Sequence, residues 1–169
     1  MIILGVDPGY AIVGFGLVEY KNTRFMTLDY GAITTPPGIP MEQRLQMIYN
    51  DLCTVLQQYK PDAMSIEKLF FNNNQKTAIA VSQARGVILL AAVQHGVACY
   101  EYTPLQVKQS VVGYGQAVKS QVMEMTKRLL NLSKIPKPDD TADALAMAIC
   151  HAHTAGSRMN IQNLGRSRL

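Results

Sequence analysis

The sequence predicts an α/β fold in which a mixed β-sheet is flanked by helices. Three apolar, β-branched segments come first along the chain and are joined by short polar turns, which is typical of an antiparallel meander. Further along, strand-like and helix-like segments alternate, and that order favours parallel strands with crossover helices. A chain of 169 residues with 48% hydrophobic composition is long enough to form one domain around its own core.

The predicted meander occupies residues 1–7, 10–20 and 25–35. Its second strand, "YAIVGFGLVEY", alternates apolar side chains between two faces, and its glycines indicate that another backbone approaches closely. The polar "KNTR" predicts the turn into the third strand, and "PPGIP" ends the meander.

The middle of the chain predicts a parallel crossover unit. Apolar residues recur at helical spacing over residues 41–59, and the short strand "AMSIE" follows at 63–67. After the amide-rich loop "LFFNNNQK" we expect a long helix over residues 77–96 and a strand over 97–102.

The last part of the chain predicts three helices, over residues 103–112, 117–132 and 141–155. From Gly156 onward, arginines appear with little apolar periodicity. We therefore expect one domain over residues 1–155 and a basic, flexible tail over 156–169.

Charge and composition give a first indication of partner and location. The formal net charge of +4 slightly favours an anionic partner such as nucleic acid. The chain begins on an apolar strand without a charged leader, and no apolar run approaches the length of a membrane span, so we expect a cytoplasmic protein without membrane contact. The histidines are too scattered to share a metal, so any metal must be held by oxygen.

Four carboxylates interrupt apolar contexts, at the ends of predicted strands and at the start of the last helix: Asp7, Glu67, Asp140 and Asp143. Ordinary structural roles remain open for three of them, because Asp7 could shape a turn, Glu67 could pair with Lys68, and Asp140 could cap the helix. Asp143 has no such alternative, because it is the one charge in an otherwise apolar, alanine-rich helix.

A shared site explains all four carboxylates together. If the first and fourth strands are neighbours, Asp7 and Glu67 meet at one sheet edge, and Asp140 and Asp143, three residues apart, share one helix face. Such a cluster is suppressed in its ionisation unless cations compensate, and oxygen-only ligands favour Mg²⁺ or Mn²⁺. Two such ions, about 3.5–4 Å apart, are suited to phosphodiester hydrolysis.

The motifs "GVDPG", "GFG", "SIEKLFF", "QARGV", "EYTPLQVKQSVVG", "GQAVKSQV" and "DDTADALAMAICHAH" occur here in that order. This ordered set resembles the RuvC family of Holliday-junction resolvases as far as about His153. The resemblance implies a ribonuclease-H-like fold and an endonuclease that makes paired, Mg²⁺-dependent nicks in four-way DNA junctions during recombination and repair. It also implies a homodimer, with RuvA and RuvB as branch-migration partners.

The resemblance also implies roles for individual residues. The family's catalytic, metal-binding acids fall on Asp7, Glu67, Asp140 and Asp143, and the three-residue step to Asp143 favours Asp140 over Asp139. The family's DNA-contacting residues fall on Lys108, Lys119 and Phe70, with Phe71 as the alternative aromatic; without the resemblance, both lysines read as solvated surface residues.

For the dimer, the resemblance points to the helix after the aromatic loop. In that helix Ala78, Val81, Ala84 and Arg85 fall at helical spacing. Periodicity alone is equally consistent with a helix that is buried within its own subunit.

Two other classes of function fit parts of the pattern. An actin-like or sugar-kinase-like ATPase also opens with a strand meander and an early aspartate, but it needs a second similar half that 169 residues cannot supply. A non-catalytic junction-binding module has no use for four converging acids. A related nuclease that acts on RNA is the nearest alternative.

Overall fold

Five strands and five helices make up the computed structural model, which describes residues 1–68 and 75–166, with side chains described outside 75–76 and 157–166. In chain order the elements are β1 (Ile2–Asp7), β2 (Ile12–Lys21), β3 (Arg24–Thr34), α1 (Met41–Tyr59), β4 (Ala63–Glu67), α2 (Gln75–Gln94), β5 (Ala98–Tyr102), α3 (Pro104–Val112), α4 (Lys119–Leu129) and α5 (Asp139–Arg166).

The strands form one mixed sheet in the order β3-β2-β1-β4-β5. Strands β1, β2 and β3 pair antiparallel, whereas β4 pairs parallel with both β1 and β5. The predicted meander and the predicted parallel crossover are therefore both confirmed, and the mixed sheet has the ribonuclease-H-like arrangement.

Helices cover both faces of the sheet because consecutive strand residues point to opposite sides. Ile3 and Val18 pack in one buried cluster with α3, α4 and α5. Leu4 and Leu17, each next to one of them in sequence, pack in a second buried cluster with α1 and α2. The result is a three-layer α/β/α molecule with a core on each side of the sheet.

Helix α5 lies very close to the sheet, and glycines make this possible. A Cβ atom on Gly5 would lie 1.9 Å from the carbonyl oxygen of Ala144, and one on Gly14 would lie 2.0 Å from that of Asp140. A Cβ atom on Gly16 would lie 2.6 Å from Cδ2 of the Leu145 side chain. The buried Ser65 hydroxyl also donates to the Met147 carbonyl at 2.7 Å. The bare backbone of β1 and β2 therefore sets the position of α5, including its first turn.

The last helix continues past Ala155, where the sequence predicted its end, and its backbone remains helical as far as Arg166. Gly156 does not stop it: no proline follows in the sequence, and no residue from Gly156 to Arg166 takes the left-handed conformation that ends many helices. The division into a domain and a basic tail after residue 155 stays a prediction.

Helix α2 packs one side within the subunit and exposes the other. Ala84 is fully buried in the core and Arg85 pairs with Glu101 of β5, so this side packs within the subunit. The opposite side carries Ile79, Leu90 and Val93, which are among the most exposed large apolar side chains of the described residues. Of the residues named from the sequence for the dimer, Ala84 and Arg85 therefore pack within the subunit, whereas Ala78 and Val81 are half-buried. The role of this helix in a dimer stays a prediction.

The apolar character of α2 has a further consequence. Among the described residues one segment, Thr77–Gln94, is long and apolar enough to cross a membrane by composition alone. This corrects the expectation that no apolar run approaches that length, because the isolated polar residues of α2 do not lower its average apolarity enough. Core helices of soluble proteins pass the same test, so the segment is weak evidence for a membrane span.

Candidate active site

Two carboxylates meet at the carboxyl edge of the sheet, as expected from the sequence for the case in which the first and fourth strands are neighbours. Asp7 ends β1 and Glu67 ends β4. These strands are parallel neighbours with Val6 opposite Ile66, so the next residue of each strand is an acid at the same edge. Both strands bury nearly all of their other side chains, so the two half-buried acids stand at the end of a closely packed layer.

The first turn of α5 brings the other acids to this edge. Gly14 of β2 lies opposite Asp7 in the β1–β2 register, and its missing side chain leaves room for the backbone of Asp140. Helix α5 begins at Asp139, so Asp139 and Asp140 are in the first turn, where carboxylates interact favourably with the helix dipole. Asp143 follows one turn later and is half-buried.

The electrostatics show that the four acids named from the sequence interact. Burial is the largest influence on Asp7 and, with the charges of Asp143, Glu67 and Asp140, raises its pKa from 3.8 to about 7. Burial followed by the charge of Asp143 also raises the pKa of Glu67. Mutual repulsion of this kind is typical of a site that is built to hold cations.

Asp139, the neighbour of Asp140, behaves differently. Its carboxylate accepts a hydrogen bond from the Lys137 ammonium at 2.6 Å, and this bond lowers its pKa. Asp139 is absent from the charges that act on Asp7. The structure thus favours Asp140 as the member of the pair that faces the other acids. The separation of Lys137 and Asp139 by two residues is visible in the sequence, whereas the geometry of their contact is not.

Lys119 lies within reach of the acidic cluster. Its Nζ donates to Asp143 Oδ2 at 2.8 Å and lies 3.8 Å from Asp139 Oδ2. The hydrogen bond to Asp143 is the main reason that the pKa of Lys119 is raised, and the Lys119 charge lowers the pKa of Asp7 and Glu67 in turn. Sequence reasoning assigned Lys119 to DNA and missed this contact, because the contact depends on how α4 packs against α5.

Of the other residues predicted to contact DNA, the structure describes Lys108 alone. Lys108 is half-exposed on α3 and makes no ion pair with any residue in the described part of the chain. Phe70 and Phe71 lie outside the described residues.

The donor set fits a hard divalent ion. All four acids supply oxygen only, which Mg²⁺ and Mn²⁺ prefer. The raised pKa of Asp7 reflects burial and, after it, repulsion by the neighbouring acids, and a dication offsets both. Within residues 1–68 and 75–166, three such side chains do not yet converge closely enough to surround one ion. In this arrangement the Lys119 ammonium donates to the Asp143 carboxylate.

Comparison with known proteins identifies the family of this chain. The family model described as "Crossover junction endodeoxyribonuclease RuvC" matches residues 3–151. The protein of that name from Clostridioides difficile (strain 630) is 55% identical over 165 residues, which cover 98% of each chain.

Two solved structures are also similar over nearly their whole length. The Thermus thermophilus RuvC structure is 36% identical with a TM-score of 0.87, covering 95% of this chain and 97% of that one. T. thermophilus RuvC in complex with Holliday junction substrate is 33% identical with a TM-score of 0.86, covering 93% of this chain and 96% of that one. The present chain therefore belongs to the RuvC family of crossover junction endodeoxyribonucleases.

Proposed function

We propose that Asp7, Glu67, Asp140 and Asp143 form the catalytic centre with which this Holliday-junction resolvase cuts DNA. Membership of the family makes the chain an endodeoxyribonuclease of recombination and repair that depends on divalent metal. The observation that carries the assignment is the meeting of β1, β4 and α5 at one sheet edge, where burial and the neighbouring acidic charges raise the pKa of Asp7 and Glu67.

The same four carboxylates are the proposed metal ligands. When bound, two Mg²⁺ ions per site, or Mn²⁺ in their place, supply Lewis-acid polarisation of the scissile phosphodiester and lower the pKa of the attacking water. The charges of the other three acids all act on Asp7, so Asp7 would be the central carboxylate of the four that hold the metal. No side chain acts as nucleophile, and the products are a 5′-phosphate and a 3′-hydroxyl.

DNA contacts are proposed for Lys108, Lys119, Phe70 and Phe71. The two lysines bind phosphates, which positions the strand without reading its sequence. Lys119 is the better supported of the two, since its ammonium already lies beside Asp143, where a scissile phosphate must come. An aromatic ring three residues after Glu67 is suited to stack on an unpaired base near the junction centre.

The functional unit is proposed to be a homodimer that forms through the exposed face of α2. Ile79 and Val93 are 67% and 68% exposed, and Gly86 between them leaves open space for a close neighbour. Burying such a face in a second copy removes apolar surface from water on both chains. Two symmetric sites then match two symmetric strands of the junction.

The partner proteins are proposed from the family, and the cellular location is proposed from the substrate. RuvA and RuvB are proposed as branch-migration partners, and the cytoplasm is proposed as the compartment because the substrate is chromosomal DNA.

A cleavage assay on defined substrates tests the proposed function. A synthetic four-way junction, a linear duplex of the same sequence and an RNA–DNA hybrid are compared with and without Mg²⁺. We expect metal-dependent, symmetric nicks in the junction alone. Preferential cutting of the hybrid instead means a ribonuclease, and metal-independent cutting removes the role of the carboxylates.

A further inference from the structure

Three exposed apolar side chains, Leu105, Tyr114 and Val118, form a surface that the proposed chemistry does not use. They are 54%, 47% and 59% exposed, respectively. We refer to them as the Tyr114 surface.

Direct contacts hold the three residues together. The Tyr114 hydroxyl donates to Gln121 Oε1 at 2.9 Å, and the Val118 backbone N–H donates to the same oxygen at 3.0 Å. Leu105 lies against the backbone of Gly115, since a Cβ atom there would be 2.2 Å from Leu105 Cδ1. One glutamine and one glycine therefore join the start of α3, the loop after it and the start of α4.

The Tyr114 surface lies next to the acidic cluster. Tyr102, the last residue of β5, pairs in register with Glu67, and Leu105 follows three residues later at the same edge of the sheet. At the other end, Val118 directly precedes Lys119, whose Nζ lies 2.8 Å from Asp143. The surface therefore borders the site on its β5 side.

The segment that carries the surface is well ordered by its own hydrogen bonds. Thr103 caps α3 reciprocally with Gln106, through contacts of 3.2 and 2.8 Å. Gly113 ends that helix in the left-handed conformation, with φ of 95°. A contact made by such a prearranged surface loses little conformational entropy on binding.

From these observations we propose that the Tyr114 surface packs against the sugar and base of a nucleotide that adjoins the scissile phosphate of the bound junction. This inference rests on the proposed function of the acidic cluster. Nucleic acid is the favoured occupant because the surface is continuous with that cluster and because lysines flank it in sequence, Lys108 on α3 and Lys119 on α4. Aromatic and apolar side chains among cationic groups are the usual surface for unpaired or distorted strands.

The proposed contact is apolar, unlike a phosphate contact, and the salt dependence of junction binding distinguishes the two. Loss of a lysine–phosphate contact lowers the slope of log K against log salt by about one, because one fewer counterion is released. Loss of an apolar or stacking contact weakens binding at every salt concentration and leaves the slope unchanged. The salt dependence thus reports the chemistry of the contact, not only its presence.

The test compares catalytically silent junction binding, measured by fluorescence anisotropy in Ca²⁺ from low to moderate salt, for the full chain and its variants. We expect Tyr114→Ala to weaken binding about tenfold with an unchanged slope, as a stacking contact of ordinary strength predicts. Tyr114→Phe, which keeps the ring, should bind within about twofold of wild type. Lys119→Ala should lower the slope by about one. Tyr30→Ala is the matched control, because Tyr30 is an exposed tyrosine (38%) on β3.

Two further measurements make the outcome decisive. The melting temperature of each variant shows whether Tyr114→Ala still folds; if it does not, Tyr114→Leu replaces it, with a smaller loss of affinity expected. A fluorescent 2-aminopurine base is placed at successive positions along the junction strands. Wild type should quench its fluorescence at positions next to the cut site, and Tyr114→Ala should restore that fluorescence. The inference is overturned if folded Tyr114→Ala binds the junction as tightly as wild type does, or if it changes the salt slope as Lys119→Ala does. If the wild type itself neither binds nor cuts junctions, the proposed function fails instead.

Discussion

Asp7 is both desolvated by burial and repelled by three neighbouring acids, and this makes its protonation part of the folding equilibrium. In the metal-free protein its pKa is about 7, whereas in the unfolded chain it returns towards 3.8. Between these values the folded state holds a proton that the unfolded state has lost. Stability therefore falls as the pH rises through this window, by at most about 1.4 kcal/mol per pH unit.

Asp7→Asn tests this account in two ways. Asparagine removes a metal ligand, so cleavage should be lost while junction binding is kept or becomes tighter. It also removes a repelled charge, so in EDTA the variant should be more stable than wild type at pH 8, with little difference at pH 4. Urea unfolding at several pH values measures the second effect.

Asp51→Asn is the control, because Asp51 is an exposed aspartate on α1, away from the sheet edge. It should change neither cleavage nor the pH dependence of stability. Cleavage at the wild-type rate by Asp7→Asn in Mg²⁺ is the result that would remove Asp7 from the site.

At the scale of elements, the contact between β2 and α5 sets the geometry of the acids. A methyl group on Gly14 meets the carbonyl oxygen and carbon of Asp140 at 2.0 and 2.3 Å, and backbone atoms of this kind cannot rotate away. Gly14→Ala should therefore displace the first turn of α5, destabilise the fold by about 1–3 kcal/mol and reduce cleavage strongly, although no acid is changed. Urea unfolding and the junction assay measure the two effects.

Gly31→Ala provides the comparison in the same sheet. Its added methyl meets only ring atoms of the Phe15 side chain, at 3.1 Å, which can shift slightly. We expect a clearly smaller loss of stability and near-normal cleavage. Equal effects of the two substitutions would mean that Gly14 has no special relation to the site.

The elements also show what the sequence can and cannot determine. The strands themselves were predictable from apolar patterning, and the meeting of Asp7 with Glu67 followed on the condition that the first and fourth strands are neighbours, which the structure supplies. The faces of α2 were not, because this helix is apolar nearly all round, so that Ala84 and Leu90 read alike in sequence although one is buried and the other is half exposed. The Lys119–Asp143 contact needed the packing of α4 against α5, which no local pattern encodes.

At the scale of the whole molecule, the exposed side of α2 predicts assembly. Leu90→Lys combined with Val93→Lys places two charges on this side without touching the core, because both residues are at least half exposed. Light scattering should then give the mass of two chains for wild type and of one chain for the variant. On a plasmid with an extruded cruciform, wild type should yield linear product from paired cuts, and the variant mainly nicked circles.

Met26→Lys is the matched control, since Met26 is also an exposed apolar residue (54%), but on β3. It should leave both the mass and the paired cuts unchanged. A wild-type mass of one chain at assay concentrations, with paired cutting intact, would contradict assembly through α2.

The proposed acids are far apart along the chain, at positions 7, 67, 140 and 143, and two of them belong to the last helix in chain order. A chain that has been synthesised only as far as α4 holds half of these acids and lacks one of the three helices on that face of the sheet. On the proposed assignment, the acids come together only after α5 has been made and has packed on β1 and β2.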